Sequence, residues 1–466
     1  MFDFKKLFRC SSAVDRVMSD QSAVSPVESH KAVLKKDTVK GPLASPMQLD
    51  EVQQTLFNAI ENTNANIFVQ GQAGTGKSAF VHYLKDHTRK EFCVACPTAI
   101  AALNIGGVTL HSLFRFPFSD FFILEKLELA QKTKQILLKK DLLIIDEISM
   151  VRPDMLDAID MLAQQARRNT APFGGIQVLL IGDLCQLPPV ITSGVKYVFE
   201  REYGHKDAYF FDARAYTAGV FQKVELTRIY RQSDAELLRH LQVIRSGADV
   251  AESVEYFNGA RISDVDALKT AVTITPYRKA ADDMNTSRLN AITDLAHSYV
   301  CKTEGNFDAS KETPAPAVLT LKVGAVVIFN RNISPDCING TSAVVTKLED
   351  DLISVCLAES GLNVTVQREK WPKYAYEYNR ETGKVEEKEV GAFIQFPLQL
   401  GYALTIHKAQ GKTLDKVIID MRRGAFAHGQ LYVALSRTRR VEDMHIPKRV
   451  DEADVIISQR VVEFLS

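Results

Sequence analysis

Several things are scarce in this chain. Tryptophan occurs once in 466 residues, and the seven cysteines are dispersed: Cys10, Cys93, Cys96, Cys185, Cys301, Cys337 and Cys356. An odd, scattered set of thiols is not the framework of a disulfide-stapled secreted domain; it suits a reducing, cytoplasmic setting. Cys93 and Cys96 form a CxxC, but no second pair at zinc spacing accompanies them, so they read as core thiols on a buried strand. Neither sign of charge is in excess, with 57 Lys plus Arg against 57 Asp plus Glu. That excludes a basic coat that would attract nucleic acid at long range, though not a local basic groove. No apolar run reaches the roughly 18 residues of a membrane-spanning helix, so no membrane partner is expected. The opening MFDFKKLFRCSSAV lacks the apolar core of a secretory signal, and Asp3 and Asp15 interrupt any mitochondrial leader.

What remains is ordinary globular composition, 46% hydrophobic and 24% charged, with material for two or three domains. Residues 1–45 have no sustained period and read as a disordered tail. From Pro46 the pattern changes. MQLDEVQQTLFNAIEN has helical spacing, with Asp50 placed to cap it. Strands are then expected at Ile67–Val69, Phe92–Ala95, Leu142–Ile145 and Val178–Ile181, each a nearly unbroken Val/Ile/Leu run of the kind buried on both faces of a parallel sheet. This first α/β domain spans 46–225. A second begins at 226, includes a strand at Ala271–Thr275, and is interrupted over 319–396 by period-two segments such as VGAVVIFN and TSAVVTKL. Asn339-Gly340 and Thr382-Gly383 supply the turns of this inserted barrel and hairpin. The α/β pattern returns over 397–466. The fold class is therefore α/β: two P-loop-type domains with parallel sheets, plus an inserted small β-barrel.

The densest chemical signal is GQAGTGKSAF, which follows one expected strand and opens a helix. Gly71, Ala73, Gly74, Thr75 and Gly76 form a loop whose backbone N–H groups can cradle phosphates. Lys77 adds a charge to the same oxygens, and the Ser78 hydroxyl can ligate Mg²⁺. LLIIDEISM ends a second strand in two carboxylates. Asp146 can hold the cation through its water shell, and Glu147 can orient or deprotonate an attacking water. In IGDLCQLPPV, Gln186 offers a neutral amide that can sense a γ-phosphate, on a loop with Asp183 stiffened by Pro188 and Pro189. Arg231, in LTRIYRQ, and Arg437, in YVALSRT, can supply charge to the transition state from a second domain. ATP and Mg²⁺ are the implied cofactors.

Taken in order, GQAGTGKS, CPTAIAALNIGGVTLHSLF, DEISM, GDLCQLPPV, LTRIYRQ, LGYALTIHKAQGKTL and GQLYVALSRT resemble the motifs of superfamily 1B helicases. The similarity is strongest to the PIF-type (petite integration frequency) DNA helicases, with RecD-type enzymes next, and it runs from about Gln48 to Arg440. The resemblance implies that Gln53, rather than Gln48, reads the adenine edge, and that Gly411 and Lys412 close the ATP site from the second domain. It implies that Thr98, His111, Thr405, His407 and Lys408 face single-stranded DNA, where backbone contact and stacking replace base-edge readout. For His111 and His407 a structural hydrogen-bonding role stands beside DNA contact. Trp371, Tyr374, Tyr376 and Tyr378 of the inserted hairpin read as packing residues more than base-stacking ones. The implied activity is 5′-to-3′ translocation on single-stranded DNA by a monomer. Tailed or structured duplexes are its expected substrates, RNA–DNA hybrids among the alternatives, in replication, repair or recombination. A translocase that strips bound proteins, and a P-loop remodelling ATPase, are the competing classes.

Overall fold

The computed structural model describes residues 49–117, 119–230, 234–262, 265–310, 313–334, 336–378 and 385–466. The tail, Gln48 and Arg231 lie outside them.

Six strands form the first sheet: β1 (Ile67–Gly71), β2 (Phe92–Cys96), β3 (Val108–Thr109), β4 (Leu142–Ile145), β5 (Gln177–Gly182) and β6 (Gln222–Leu226). Every pairing is parallel, in the order β3-β2-β4-β5-β1-β6. The apolar runs behave as two-faced strands should. Ile67, Val69, Val94, Leu142, Ile144, Leu179 and Ile181 join one buried cluster with Phe80 and Leu84 of the helix Lys77–His87. Their alternate neighbours, Phe68, Cys93, Ala95, Leu143, Ile145, Val178 and Leu180, join a larger cluster on the opposite face. Side chains alternate across a strand, so both faces must be covered by other elements.

The same alternation settles the CxxC. Cys93 and Cys96 are both fully buried, but they belong to opposite faces of the sheet. They share no metal or disulfide, and burial pushes the Cys93 thiol up to about 12.

The second sheet is also all parallel, in the order Ala403–Thr405, Val272–Thr275, Val417–Ile419, Met444–His445. Between its first and second strands in the chain lies an antiparallel unit. Five of its strands pair in the order Asn363–Val366, Ile353–Leu357, Ser342–Leu348, Val326–Phe329, Leu398–Leu400, over a core that includes Val327, Phe329, Val345, Val355 and Leu398. Antiparallel pairing starts before residue 319, because the short strands His297–Val300 and Lys302–Gly305 already take part. Neither is long enough to show a clear period in the sequence. Trp371 is buried against Phe393 and is a packing residue; the side chains of Tyr374, Tyr376 and Tyr378 lie outside the described set. The turn at Asn339-Gly340 rests on the loop after Gly411, where a side chain at 340 would lie 1.9 Å from the Thr413 carbonyl oxygen. No helix among the described residues is long and apolar enough to cross a membrane.

The final helix, Gln459–Leu465, returns to the first sheet. Phe464 stacks on Phe211 with centroids 4.3 Å apart and lies 5.9 Å from Phe68. Lys223 donates to the Phe464 carbonyl and sits over its ring. Phe464 is half-buried, so Phe464→Ala is expected to cost about 2 kcal/mol of stability, less than a fully buried aromatic. Urea unfolding checks this; a change below about 0.5 kcal/mol would class Phe464 with surface residues.

Candidate nucleotide site

The helix Glu51–Asn62 starts with a reciprocal cap. The Gln53 backbone N–H donates to Asp50 Oδ1 (2.8 Å), and the Asp50 N–H donates to Gln53 Oε1 (3.2 Å). This holds Gln53 in place, fully buried, and leaves its Nε2 as a buried donor with no partner. Tyr230 completes this corner. Its hydroxyl donates to Asp50 Oδ2 (2.9 Å), and its backbone N–H donates to the Gly74 carbonyl (2.8 Å).

Beside it the phosphate loop curls around open space. Gly76 has φ +79°, a left-handed conformation that favours glycine. Lys77 Nζ donates to the carbonyls of Gly71 and Gln72, so the ammonium spans the loop. The cleft, about 330 Å³, is lined by residues 73–79, Glu147, Gln186, Tyr230, Gly411 and Arg437. Gln53 does not itself line the cleft; its orphan donor lies behind Gly76 and Tyr230, which do, and with the loop amides it fits a nucleotide.

Asp146 follows β4 and Glu147 follows it in turn, with a left-handed φ of 55°. Burial, reinforced by the Glu147 charge, pushes the Asp146 carboxyl up to about 7, against the lowering effects of the Glu147 N–H and Lys77. Burial also raises Glu147, opposed by Lys77. A desolvated carboxylate within electrostatic reach of Lys77 suits a divalent cation, which restores the charge balance that burial removes.

Closure comes from the second sheet. Arg437 is 1% exposed. Its guanidinium donates to the carbonyls of Val433 (2.6 Å), Ala409 (3.2 Å) and Lys412 (3.2 Å) and to Ser436 Oγ (2.6 Å). Backbone carbonyls thus hold it rigidly at the cleft wall. Gln410 donates to Glu147 Oε2 (3.4 Å), and its own Oε1 is buried without a partner. Lys412 departs from expectation. It does not line the cleft; its buried ammonium donates to Asn339 Oδ1 (2.6 Å) of the inserted unit. Burial, with Lys408 nearby, lowers it to about 8.

The residues expected to face DNA lie apart from the cleft. Thr98 follows β2 and caps the helix Ala99–Ile105, its Oγ1 accepting from Ala101 N–H (3.2 Å). His111 follows β3 and packs edge-on to Phe116. In the second sheet Thr405 Oγ1 accepts from Lys408 N–H (3.3 Å), while His407 and Lys408 are exposed. The C-terminal edge of the first sheet is therefore divided: β1, β4 and β5 carry the nucleotide residues, and β2 and β3 carry the others.

Sequence reading missed Tyr230, Gln410, Tyr432, His428 and Arg245. The first three stand inside the motifs already noted, and their place there is the signal that could have found them. His428 and Arg245 carry no local signal; they matter only through contacts across the fold.

These features define a P-loop nucleotide-binding protein whose cleft lies between two parallel sheets. A family model of PIF1-like helicases matches residues 48–241. The chain is 31% identical to the ATP-dependent DNA helicase Pif1 of Bdellovibrio bacteriovorus over 91% of its own length and 94% of that protein's. It superposes on Bacteroides sp. Pif1 in complex with ADP-AlF4 with a TM-score of 0.82 at 35% identity, covering 90% of this chain and 96% of that one. For Bacteroides Pif1 bound to ssDNA the TM-score is 0.65 at 36% identity, with 90% and 96% covered. The chain spans only 62% and 66% of the PIF1 helicases of Emericella nidulans and Homo sapiens that it also matches. It belongs to the PIF1-like helicase family.

One contact between the halves titrates. His428 Nδ1 accepts from Ser458 N–H (3.0 Å), so Nε2 carries the proton donated to the Leu184 carbonyl (2.7 Å). A second proton would sit on Nδ1 and break the Ser458 bond, drawn only by the Ile456 carbonyl nearby. The ring faces Tyr209 edge-on and lies near Asp183. Burial lowers the pKa of His428, partly offset by the Leu184 carbonyl and Asp183. A lowered histidine stabilises the fold fully above the unfolded value, about 6.5, and loses that contribution as pH falls. Wild type is expected to lose stability between pH 7 and 5. His428→Gln should be less stable at pH 7.5 but show a shallower slope, measured by urea titration at each pH. An unchanged slope would remove His428 from the acid response.

Proposed function

We propose that this chain is an ATP-dependent DNA helicase that moves 5′-to-3′ on single-stranded DNA and separates duplex ahead of it. The observation that carries the reading is a phosphate-binding loop on one parallel sheet faced by Arg437 and Gln410 from the other. A nucleotide held between two bodies can change their relative position, and a P-loop switch has no need of that second wall. The family of the chain supports DNA as the track, and polarity follows the resemblance of its motifs.

The roles are assigned to groups of this chain. Gln53 Nε2, buried and unpartnered, donates to the adenine. Residues 71–76 and Lys77 bind the phosphates, Lys77 exchanging two carbonyls for phosphate oxygens. Ser78 and Asp146 hold Mg²⁺, which when bound supplies charge neutralisation at the transferring phosphoryl group. Glu147 orients and deprotonates the attacking water; its raised pKa makes it a stronger base. Gln186 and Arg437 face the γ-phosphate position, and Arg231 is given the same charge role from its motif alone. Gly411 lines the second wall, and Lys412 acts from behind it through Asn339. Thr98, His111, Thr405, His407 and Lys408 grip the strand, two from one sheet and three from the other.

The test is ATP hydrolysis with and without single-stranded DNA, followed by unwinding of 5′- and 3′-tailed duplexes. Strong stimulation and unwinding of the 5′-tailed duplex alone are expected. Hydrolysis indifferent to DNA would return the P-loop remodeller reading. Displacement of a bound protein without duplex opening would favour the stripping translocase. Lys77→Ala is expected to abolish hydrolysis, and Glu147→Gln to retain ATP without turning it over; rapid turnover in the latter would remove Glu147 as the base. Gln53→Ala should raise KM for ATP by about tenfold, the worth of one buried hydrogen bond, with kcat little changed.

A further inference from the structure

Asp183 is the centre of a buried polar cluster at the end of β5. It is 1% exposed, and Gln70, Gln186, Arg245 and Tyr432 around it are 4%, 6%, 7% and 2% exposed. Asp183 Oδ1 accepts from Gln70 Nε2 (3.1 Å) and Cys185 N–H (3.2 Å), and Oδ2 accepts from Gln186 Nε2 (3.0 Å). The carboxylate therefore holds the side chain expected to sense the γ-phosphate. Gln70 closes the loop by accepting from Leu184 N–H (3.2 Å).

Two groups reach this cluster from beyond the first sheet. Arg245 Nε stands 3.7 Å from Asp183 Oδ1, and its Nε and Nη2 are buried without a hydrogen-bond partner. Tyr432 makes the closer approach. Its hydroxyl lies 3.2 Å from the Ala73 nitrogen and 3.4 Å from Asp183 Oδ2. The direction of both bonds is forced: an amide can only donate and a carboxylate only accept, so the hydroxyl takes the proton of Ala73 and gives its own to Asp183. Burial and the Asp183 charge raise the phenol further, so that proton stays on Tyr432.

The helix Gln430–Leu435 that carries Tyr432 also leads into Arg437. Its first turn sits directly on the cluster. A side chain at Gly429 would lie 2.4 Å from the Cys185 carbonyl oxygen and 2.6 Å from that of Gln186. One short helix thus fixes the backbone at Gln186, reaches the phosphate loop through Tyr432, and presents Arg437.

We infer that Tyr432 is a positioning residue for hydrolysis: through Asp183 it orients Gln186, and through Ala73 it ties that orientation to the phosphate loop. The inference rests on the assignment of Gln186 to the γ-phosphate. It gives the second sheet two separate holds on the nucleotide, one by charge through Arg437 and one by geometry through Tyr432. The hydroxyl touches no reacting atom, so its loss should slow turnover without weakening nucleotide binding.

Tyr432→Phe keeps the ring and removes only the oxygen. DNA-stimulated ATPase kcat is expected to fall by about tenfold, as for one buried hydrogen-bonding group, while the Kd of a fluorescent ADP analogue stays within about threefold. The decisive comparison is with Gln186→Ala. If Tyr432 acts through Gln186, the double variant is no slower than Gln186→Ala alone. Multiplied losses in the double variant would overturn the inference, as would an unchanged kcat in Tyr432→Phe. So would a fall in kcat matched by an equal loss of ADP affinity, which is the signature of a merely disordered cleft. Should Tyr432→Phe fail to fold, Asp183→Asn is read against Gln186→Ala in the same way. Failure of the underlying reading is separable: wild type without ATPase activity, or Gln186→Ala at the wild-type rate, would sink the site assignment before Tyr432 is considered.

Discussion

The rest of the structure depends on one close approach, that of the Gln430–Leu435 helix to the chain at Cys185 and Gln186. There is no room for a side chain at Gly429. Because backbone meets backbone, the second sheet can place Arg437 at a cleft built almost wholly by the first. Arg437 itself spends its hydrogen bonds on carbonyls of its own neighbourhood. A guanidinium with that much internal support keeps one fixed position at the cleft wall. The final helix, with Phe464 against Phe68 and Phe211, ties the same part of the chain to the far side of the first sheet. His428 adds a third tie through Leu184 and Ser458.

Much of this was legible in the sequence, and for identifiable reasons. Short β-branched and leucine runs such as Leu142–Ile145 and Val178–Ile181 suit strands buried on both faces, and the structure buries them so. The phosphate loop, the paired carboxylates and the motif order carried the family. What was not legible depends on distance in space. Nothing local marks Arg245, which lies sixty-two positions after Asp183 in the chain yet faces it at 3.7 Å. Lys412 sits in a motif that suggests the nucleotide, but the packing of the inserted unit gives its ammonium to Asn339. The strands at His297–Val300 and Lys302–Gly305 are too short to show a period. Their pairing comes from partners far along the chain, at Val318–Leu321 and Gly391–Ile394.

The inserted unit is connected to the second-sheet loops at the cleft more intimately than an appendage. Asn339 receives the Lys412 ammonium, Gly340 rests on Thr413, and Ser342 N–H donates to Asp415 Oδ2 (3.0 Å). All three contacts fall on the segment just after Gly411, which lines the cleft. A buried ammonium answered by a neutral amide is weakly compensated, which is why the Lys412 ammonium is held so far below the usual lysine range.

The division of the first sheet's C-terminal edge has a mechanical consequence. From β1, under the phosphate loop, to β3, beside His111, there are four strand-to-strand steps, or about 19 Å at the usual spacing. A parallel sheet covered on both faces behaves as a stiff plate. The phosphate loop and the His111 margin are thus held at a fixed separation by a single element.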